Sequence, residues 1–142
     1  MSAQRSNLSL CPLSPLSPVV ANILQVAYYR GPVVTRARML ESRGYHVTSV
    51  LGNDEALGLD AAVIAAADSV VIGFSAPHPV RAAMIRWCKQ FYPNIPVVAL
   101  QFHSAESFPE ADGGTVSGDP EVWLAAVAST LKKSRQESKL NH

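Results

Sequence analysis

Charge is scarce in this sequence of 142 residues: only 16% of them are charged, and 12 basic side chains against 11 acidic ones leave a net charge of +1. No broad field is available to recruit nucleic acid or anionic lipid, so neither partner is expected. There are only two cysteines, Cys11 and Cys88, far apart and without a spacing that suggests metal or redox chemistry. A reducing cytoplasm is the expected setting. No stretch approaches the roughly 18 consecutive apolar residues of a membrane span. Pro12, Pro15 and Pro18 interrupt the apolar run near the amino terminus, and a single Arg5 makes no export signal. One local absence matters more. In "DSVVIGFSAPHP", residues 68–79, a strand-like run ends in a loop with no acid, lysine or cysteine between Ser69 and Pro77.

What is present is hydrophobic and patterned. A hydrophobic fraction of 48% excludes a disordered chain, and the length suits one domain with its own core. Residues 1–20, ending in "LSLCPLSPLSPVV", read as a flexible or extended leader, because closely spaced prolines block both helix and sheet hydrogen bonding. The domain is expected over 21–131. Residues 132–142, "KKSRQESKLNH", read as a frayed polar tail, and the internal "SKL" is no peroxisomal address.

Between these ends, strand-like and helix-like segments alternate. "NILQVAYY" (22–29) is a short apolar strand. "PVVTRARMLESRG" (32–44) repeats Val33, Val34, Ala37, Met39 and Leu40 at helical spacing, with Gly44 as a left-handed cap. "YHVTSVL" (45–51) is β-branched and alternating, hence a strand. "DEALGLDAAVIAAA" (54–67) is helical in content, with a break allowed at Gly58, and "SVVIGF" (69–74) is the third strand. "PVRAAMIRWCKQFY" (79–92) is an amphipathic helix with Val80, Ala83, Met84, Trp87 and Cys88 inward and Arg81, Arg86 and Lys89 mostly off that face. "IPVVALQF" (95–102) is a fourth strand. "DPEVWLAAVASTLKK" (119–133) is a last helix, with Asp119 as N-cap and Pro120 at the first position. The order is β-α-β-α-β-α-β, an irregular region, then α. Apolar strands separated by helices imply an α/β three-layer sandwich, a doubly wound parallel sheet of flavodoxin-like form with any site at the carboxyl ends of its strands.

Over residues 22–131 the chain resembles a response-regulator receiver domain, of the CheY-like kind. The resemblance rests on the order of elements and on "ILQVAYY", "ARMLESRGYHVTSV", "ADSVVIGFSAPHP", "FYPNIPVVAL" and "DPEVWLAAV" in register. In such domains an aspartate ending the third strand accepts a phosphoryl group, and two acids after the first strand hold Mg²⁺. A Thr or Ser ending the fourth strand and a Lys ending the fifth then engage the phosphoryl oxygens. Here the acidic pair falls on Ala27 and Tyr28, and the phospho-accepting aspartate on Gly73. The switch hydroxyl falls on Gln101, and the lysine on Val116 or, with a slip of one, Ser117. The resemblance therefore implies a degenerate pseudo-receiver. Neither phosphorylation at Gly73, nor Mg²⁺, nor any other cofactor is expected. "FHSAESFPEADGGT" (102–115), with Pro109 and Gly113-Gly114, must supply what receivers build as a helix and a last strand, so that helix is expected to be eroded.

A remnant pocket is expected around Ala27, Tyr28, Phe74, Ser75, Gln101, Val116 and Ser117, with Gly73 and Phe74 closing a vacant space. Tyr28 and Tyr29 either stack on a partner or plug the hollow of the missing metal site, with the plug favoured. His78 reads as a surface residue, Trp87 and Trp123 as packing residues. His103, Ser104 and Glu106 resemble a hydrolytic trio by composition alone. "RGPVVTR" (30–36) is a weak phosphate-binding pattern, and Arg30, Arg36, Arg38 and Arg43 are spread around their helix rather than lined up. The favoured function is a non-catalytic signalling module that binds a protein partner. The alternatives are a flavodoxin-like domain holding a flavin or nucleotide, and an enzyme built around His78, Gln101 and His103.

Overall fold

The computed structural model describes residues 20–116 and 118–140, with side chains to residue 134. Residues 1–19 of the expected leader, Ser117 and the last two residues of the tail lie outside the described residues.

Five strands form one all-parallel sheet: β1 (Asn22–Ala27), β2 (His46–Leu51), β3 (Ser69–Ile72), β4 (Val97–Gln101) and β5 (Gly113–Val116), in the order β2-β1-β3-β4-β5. Among the described residues, five helices connect and follow them: α1 (Arg30–Ser42), α2 (Gly52–Leu57), α3 (Ala61–Ala65), α4 (His78–Phe91) and α5 (Pro120–Leu140). The chain therefore has the CheY-like, flavodoxin-like α/β fold. Its strand order reverses between β1 and β3, and in an open α/β sheet ligands bind where loops diverge at such a point.

Successive strand residues point to opposite faces, so the central strands feed two cores. Leu24, Val26, Val70, Ile72, Val97 and Ala99 pack on Ala56 of α2, Ile64 of α3, and Met84, Ile85 and Cys88 of α4. Ile23, Val71, Val98 and Leu100 pack on Leu40 of α1 and on Trp123, Leu124, Val127 and Leu131 of α5. Each such aliphatic side chain contributes roughly 2 kcal/mol by leaving water. Double coverage explains why β3 reads as an unbroken apolar run: all four of its residues are buried.

Helix ends follow local chemistry. The α1 helix stops because Gly44 takes φ +89°, a left-handed conformation that costs glycine least. Asp119 accepts the N–H of Glu121 at 2.9 Å, and Pro120 opens α5. Asp60 caps α3 through the N–H of Ala62.

Several expectations need correction. The helical stretch expected over 54–67 breaks at Gly58–Asp60, as the sequence allowed, but its first helix begins earlier, at Gly52. The last helix does not end near residue 133 but runs to Leu140, through most of the expected tail. The buried face of α4 is Arg81, Met84, Ile85 and Cys88, while Val80 is exposed, so the inward stripe is turned from the one expected. The region after β4 does supply a strand, Gly113–Val116, and no helix precedes it. Phe108 and Ala111 of that loop pack on the α4-side core instead. Among the described residues no helix is long and apolar enough to cross a membrane.

Candidate functional site

The carboxyl ends of β1, β3 and β4 converge with the loops that follow them. β3 is extended by one residue, since the N–H of Gly73 donates to the Val26 carbonyl at 2.8 Å. Phe74, Ser75 and Ala76 then lead into α4.

The position expected to lie vacant at Gly73 is occupied by an arginine. A Cβ on Gly73 would lie 3.1 Å from Nη1 of Arg36, 3.4 Å from the Val26 carbonyl oxygen and 3.5 Å from the Ala27 Cα. Arg36 comes from the inward side of α1 and is 6% exposed. Its Nη1 donates to Oε1 of Gln25 at 3.2 Å, and its guanidinium carbon stands 5.9 Å from the centre of the Phe74 ring. Gln25, fully buried on β1, is held in turn: its Nε2 donates to the Ser49 hydroxyl at 3.0 Å and to the Val33 carbonyl at 3.1 Å. Among the described residues no carboxylate pairs with Arg36. Burial accordingly lowers its pKa, because no counter-charge compensates for lost water.

A second buried arginine, Arg81 of α4, is placed differently. It is 3% exposed, and its fork grips both oxygens of Glu106, with Nη1 to Oε1 at 3.0 Å. Its Nε donates to the Ala76 carbonyl at 2.7 Å, and the guanidinium lies 5.0 Å from the centre of the Phe108 ring. Glu106 also accepts the N–H of Phe102 at 2.6 Å, while Gln101 Nε2 donates to its carbonyl oxygen. Arg81 first, and then the Phe102 N–H, pull the Glu106 carboxyl down to about 2. His78 adds a further tie: Nε2 is 2.7 Å from the Ser107 carbonyl and the ring stacks on Phe108 at 4.3 Å. The carbonyl can only accept, so Nε2 carries the proton. Together these contacts pin the helix-less loop after β4 against the start of α4.

Above Arg81 and Glu106 opens a cleft of about 520 Å³, lined by Tyr29, Phe74, Ser75, Ala76, Phe102 and His103. Of the residues expected to rim the pocket, Phe74 and Ser75 line it. Ala27 is buried in β1, Gln101 turns to the Glu106 carbonyl, and Val116 ends β5. Ser117 lies outside the described residues. Tyr28 turns away from the cleft. Its hydroxyl donates to Asn53 Oδ1 at 2.8 Å, its ring packs on the α4-side core, and burial pushes its pKa up to about 12. Tyr29, by contrast, is 62% exposed at the rim.

These geometries test the fit of a divalent cation. Ala27 and Gly73 offer no side-chain oxygen, the Tyr28 phenol keeps its proton and binds Asn53, and the nearest charge is the Arg36 cation. Hard-cation chemistry needs oxygen ligands, so these residues do not suit Mg²⁺.

The sequence reading missed Arg36, Arg81 and Gln25 as site residues, and it grouped Glu106 with His103 and Ser104 rather than with Arg81. Signals existed for two of them. Arg81 stands three, four and seven residues before Met84, Ile85 and Cys88, on one helical stripe, and Gln25 is the lone polar residue within "ILQVA". The pairing of Glu106 with Arg81 had none, since it joins an irregular segment to a helix 25 residues earlier.

No family model and no curated protein matches the chain. Solved structures do. The chain is similar to the chemotaxis response regulator CheY4 of Vibrio cholerae, with a TM-score of 0.67 and 19% identity over 79% of this chain and 99% of that one. It is similar to a CheY-like receiver domain protein of Methanospirillum hungatei, with a TM-score of 0.69 and 16% identity over 84% and 99%. NtrX of Brucella abortus matches 87% of this chain and 30% of its own length, with a TM-score of 0.74 and 17% identity. At these identities the likeness establishes a receiver fold.

Proposed function

We propose that this chain is a non-catalytic signalling module of receiver form, one that binds a protein partner without aspartyl phosphorylation. The observation that carries the reading is the Arg36 guanidinium set against Gly73, at the strand end where a receiver presents its carboxylate. A glycine has nothing to phosphorylate, and a cation beside it opposes a metal ion.

The remaining chemistry points the same way. Glu106, down at about 2, stays ionised and committed to Arg81, so it is no proton donor near neutral pH. The buried Cys88 thiol is pushed up to about 11 and is not a ready nucleophile. His103 and Glu106 belong to one cleft, but the carboxylate is engaged by Arg81 and the Phe102 N–H rather than orienting a histidine.

The test is an amide NMR titration of the whole chain with Mg²⁺ and then beryllofluoride, which mimics an aspartyl phosphate. The expected result is no saturable shift at residues 27–29, 73–76 and 101. Saturable shifts there would mean that another acid serves the site, and the reading would fall.

A further inference from the structure

The amino end of the sheet, opposite the cleft, carries an aromatic cluster of its own. α4 runs back along the sheet from the loop after β3 and ends at Phe91, shortly before β4 begins. There the rings of Phe91 and Tyr92 each stand 5.7 Å from that of Trp87, tilted by 48° and 54°, so they border grooves rather than stack flat. Phe91 is 58% exposed, while Trp87 and Tyr92 are partly buried against the α4-side core. The turn beside them is held in place, because Lys89 Nζ donates to the carbonyls of Pro93 and Ile95. The charges at the border are paired already, Lys89 with Asp112 and Arg86 with Glu110. An uncharged, apolar occupant therefore suits these rings.

The chain enters the sheet at this same end. The Asn22 N–H donates to Asp68, and Ser69 Oγ and the Val70 N–H donate to the Pro96 carbonyl, so β1 and β4 begin two strands apart. Just before β1, residues 10–19 read "LCPLSPLSPV", without a charge and with a period of three. Leu10, Leu13, Leu16 and Val19 form one register, Pro12, Pro15 and Pro18 a second, and Cys11, Ser14 and Ser17 a third. A polyproline II segment turns once every three residues, so this period gives it two apolar stripes and a polar one. Such segments dock on aromatic-lined grooves at low cost in conformational entropy.

We infer that residues 10–19 dock in cis on Trp87, Phe91 and Tyr92, as a polyproline II strap with its Ser stripe facing water. The reach fits. Crossing two strands takes about 10 Å and climbing the helix layer about 10 Å more. The seven residues from Leu13 to Val20 span about 22 Å in that conformation. The cleft at the other end is a poor match for the same strap, since β1 alone rises about 20 Å and helices cover both faces of the sheet. This docking is independent of the strand-end chemistry at Gly73.

The experiment uses paramagnetic broadening in the full chain. Cys88 is buried, so a nitroxide is attached at Cys11, on the polar stripe. Strong broadening is expected at the Trp87 indole N–H and at the amides of residues 87–92. Leu13→Ser with Leu16→Ser keeps the tether length and should restore most of that intensity, as should Phe91→Ser at its exposed position. An isotope-labelled Cys11→Ser chain mixed with unlabelled, nitroxide-bearing chain should show no broadening. Broadening that both variants leave unchanged overturns the inference, because a free tether would give it. Broadening centred on residues 74, 75, 102 and 103 overturns it in favour of the cleft. Broadening in the mixed sample as strong as in the single chain overturns it in favour of a second copy.

Discussion

Arg36 and Arg81 are the two buried arginines of the described chain, each projecting inward from a helix that flanks the same end of the sheet, one on either face. Arg81 has a bidentate carboxylate, a backbone carbonyl and an aromatic face. Arg36 has the side-chain oxygen of Gln25 and the Phe74 ring, but no carboxylate among the described residues. Burying a charge is costly unless it is paired, and the two sites answer that cost differently. Around Arg81 the loop after β4 is fastened without a helix, so this pair serves architecture. Around Arg36 a cation is kept beside a glycine with no counter-ion among the described residues, its one hydrogen bond going to the buried Gln25.

The contrast is broken most forcefully at Glu106. Glu106→Gln leaves the Arg81 guanidinium buried without its charge partner and removes the charged acceptor of the Phe102 N–H, and should cost about 3 kcal/mol in urea unfolding. Replacing both partners, Arg81→Met with Glu106→Leu, should recover most of that loss, since two apolar groups carry no desolvation cost. The pH dependence follows from the depressed carboxyl. Its folded pKa, about 2, lies below the ordinary 4.5, so its stabilisation is present above 4.5 and is lost as the pH falls through 4.5 toward 2. Wild type should weaken across that window more steeply than Glu106→Gln. Parallel curves would show that the pair does not hold the loop.

The parallel sheet was legible because its signals are periodic: "SVVIGF" and "IPVVALQF" are buried on both faces and read as unbroken apolar runs. Gly44 and Asp119 announced their helix ends by residue type. The site was less legible because its determinants cross the sheet. Reading arginines as surface residues is sound on average, and it failed here since the groups that accept Arg36 and Arg81 lie 11 and 25 residues away along the chain. The vacancy expected behind Gly73 followed from counting missing acids. A glycine, however, also lets a neighbour approach, and the guanidinium takes that space. The extension of α5 past residue 133 went unseen because beyond Leu131 the helix has no apolar period to mark it.

A smaller effect is expected at Gly73. Gly73→Ala sets a methyl 3.1 Å from Arg36 Nη1 with backbone on its other sides, so the guanidinium must move within a packed space. The expected loss is about 1–2 kcal/mol. In an Arg36→Met background the methyl should meet a shorter, uncharged side chain, and the loss should shrink. A double-mutant cycle measuring a coupling of at least about 0.5 kcal/mol would confirm that Arg36 fills the space behind the glycine. Strict additivity would place the arginine elsewhere in solution.

The smallest effect is the most telling. Arg36→Met removes a charge whose desolvation no carboxylate offsets, which should stabilise, and strips Gln25 Oε1 of its donor, at a cost of about 1 kcal/mol. The two changes oppose each other, so urea unfolding should shift by less than about 1 kcal/mol in either direction, set against the larger loss at Glu106. Near-neutrality would mean that an arginine contributing little to stability stands at the strand end where a receiver carries its phospho-accepting aspartate. A loss as large as that of Glu106→Gln would mean that Arg36 has a strong partner in solution, and the contrast between the two arginines would disappear.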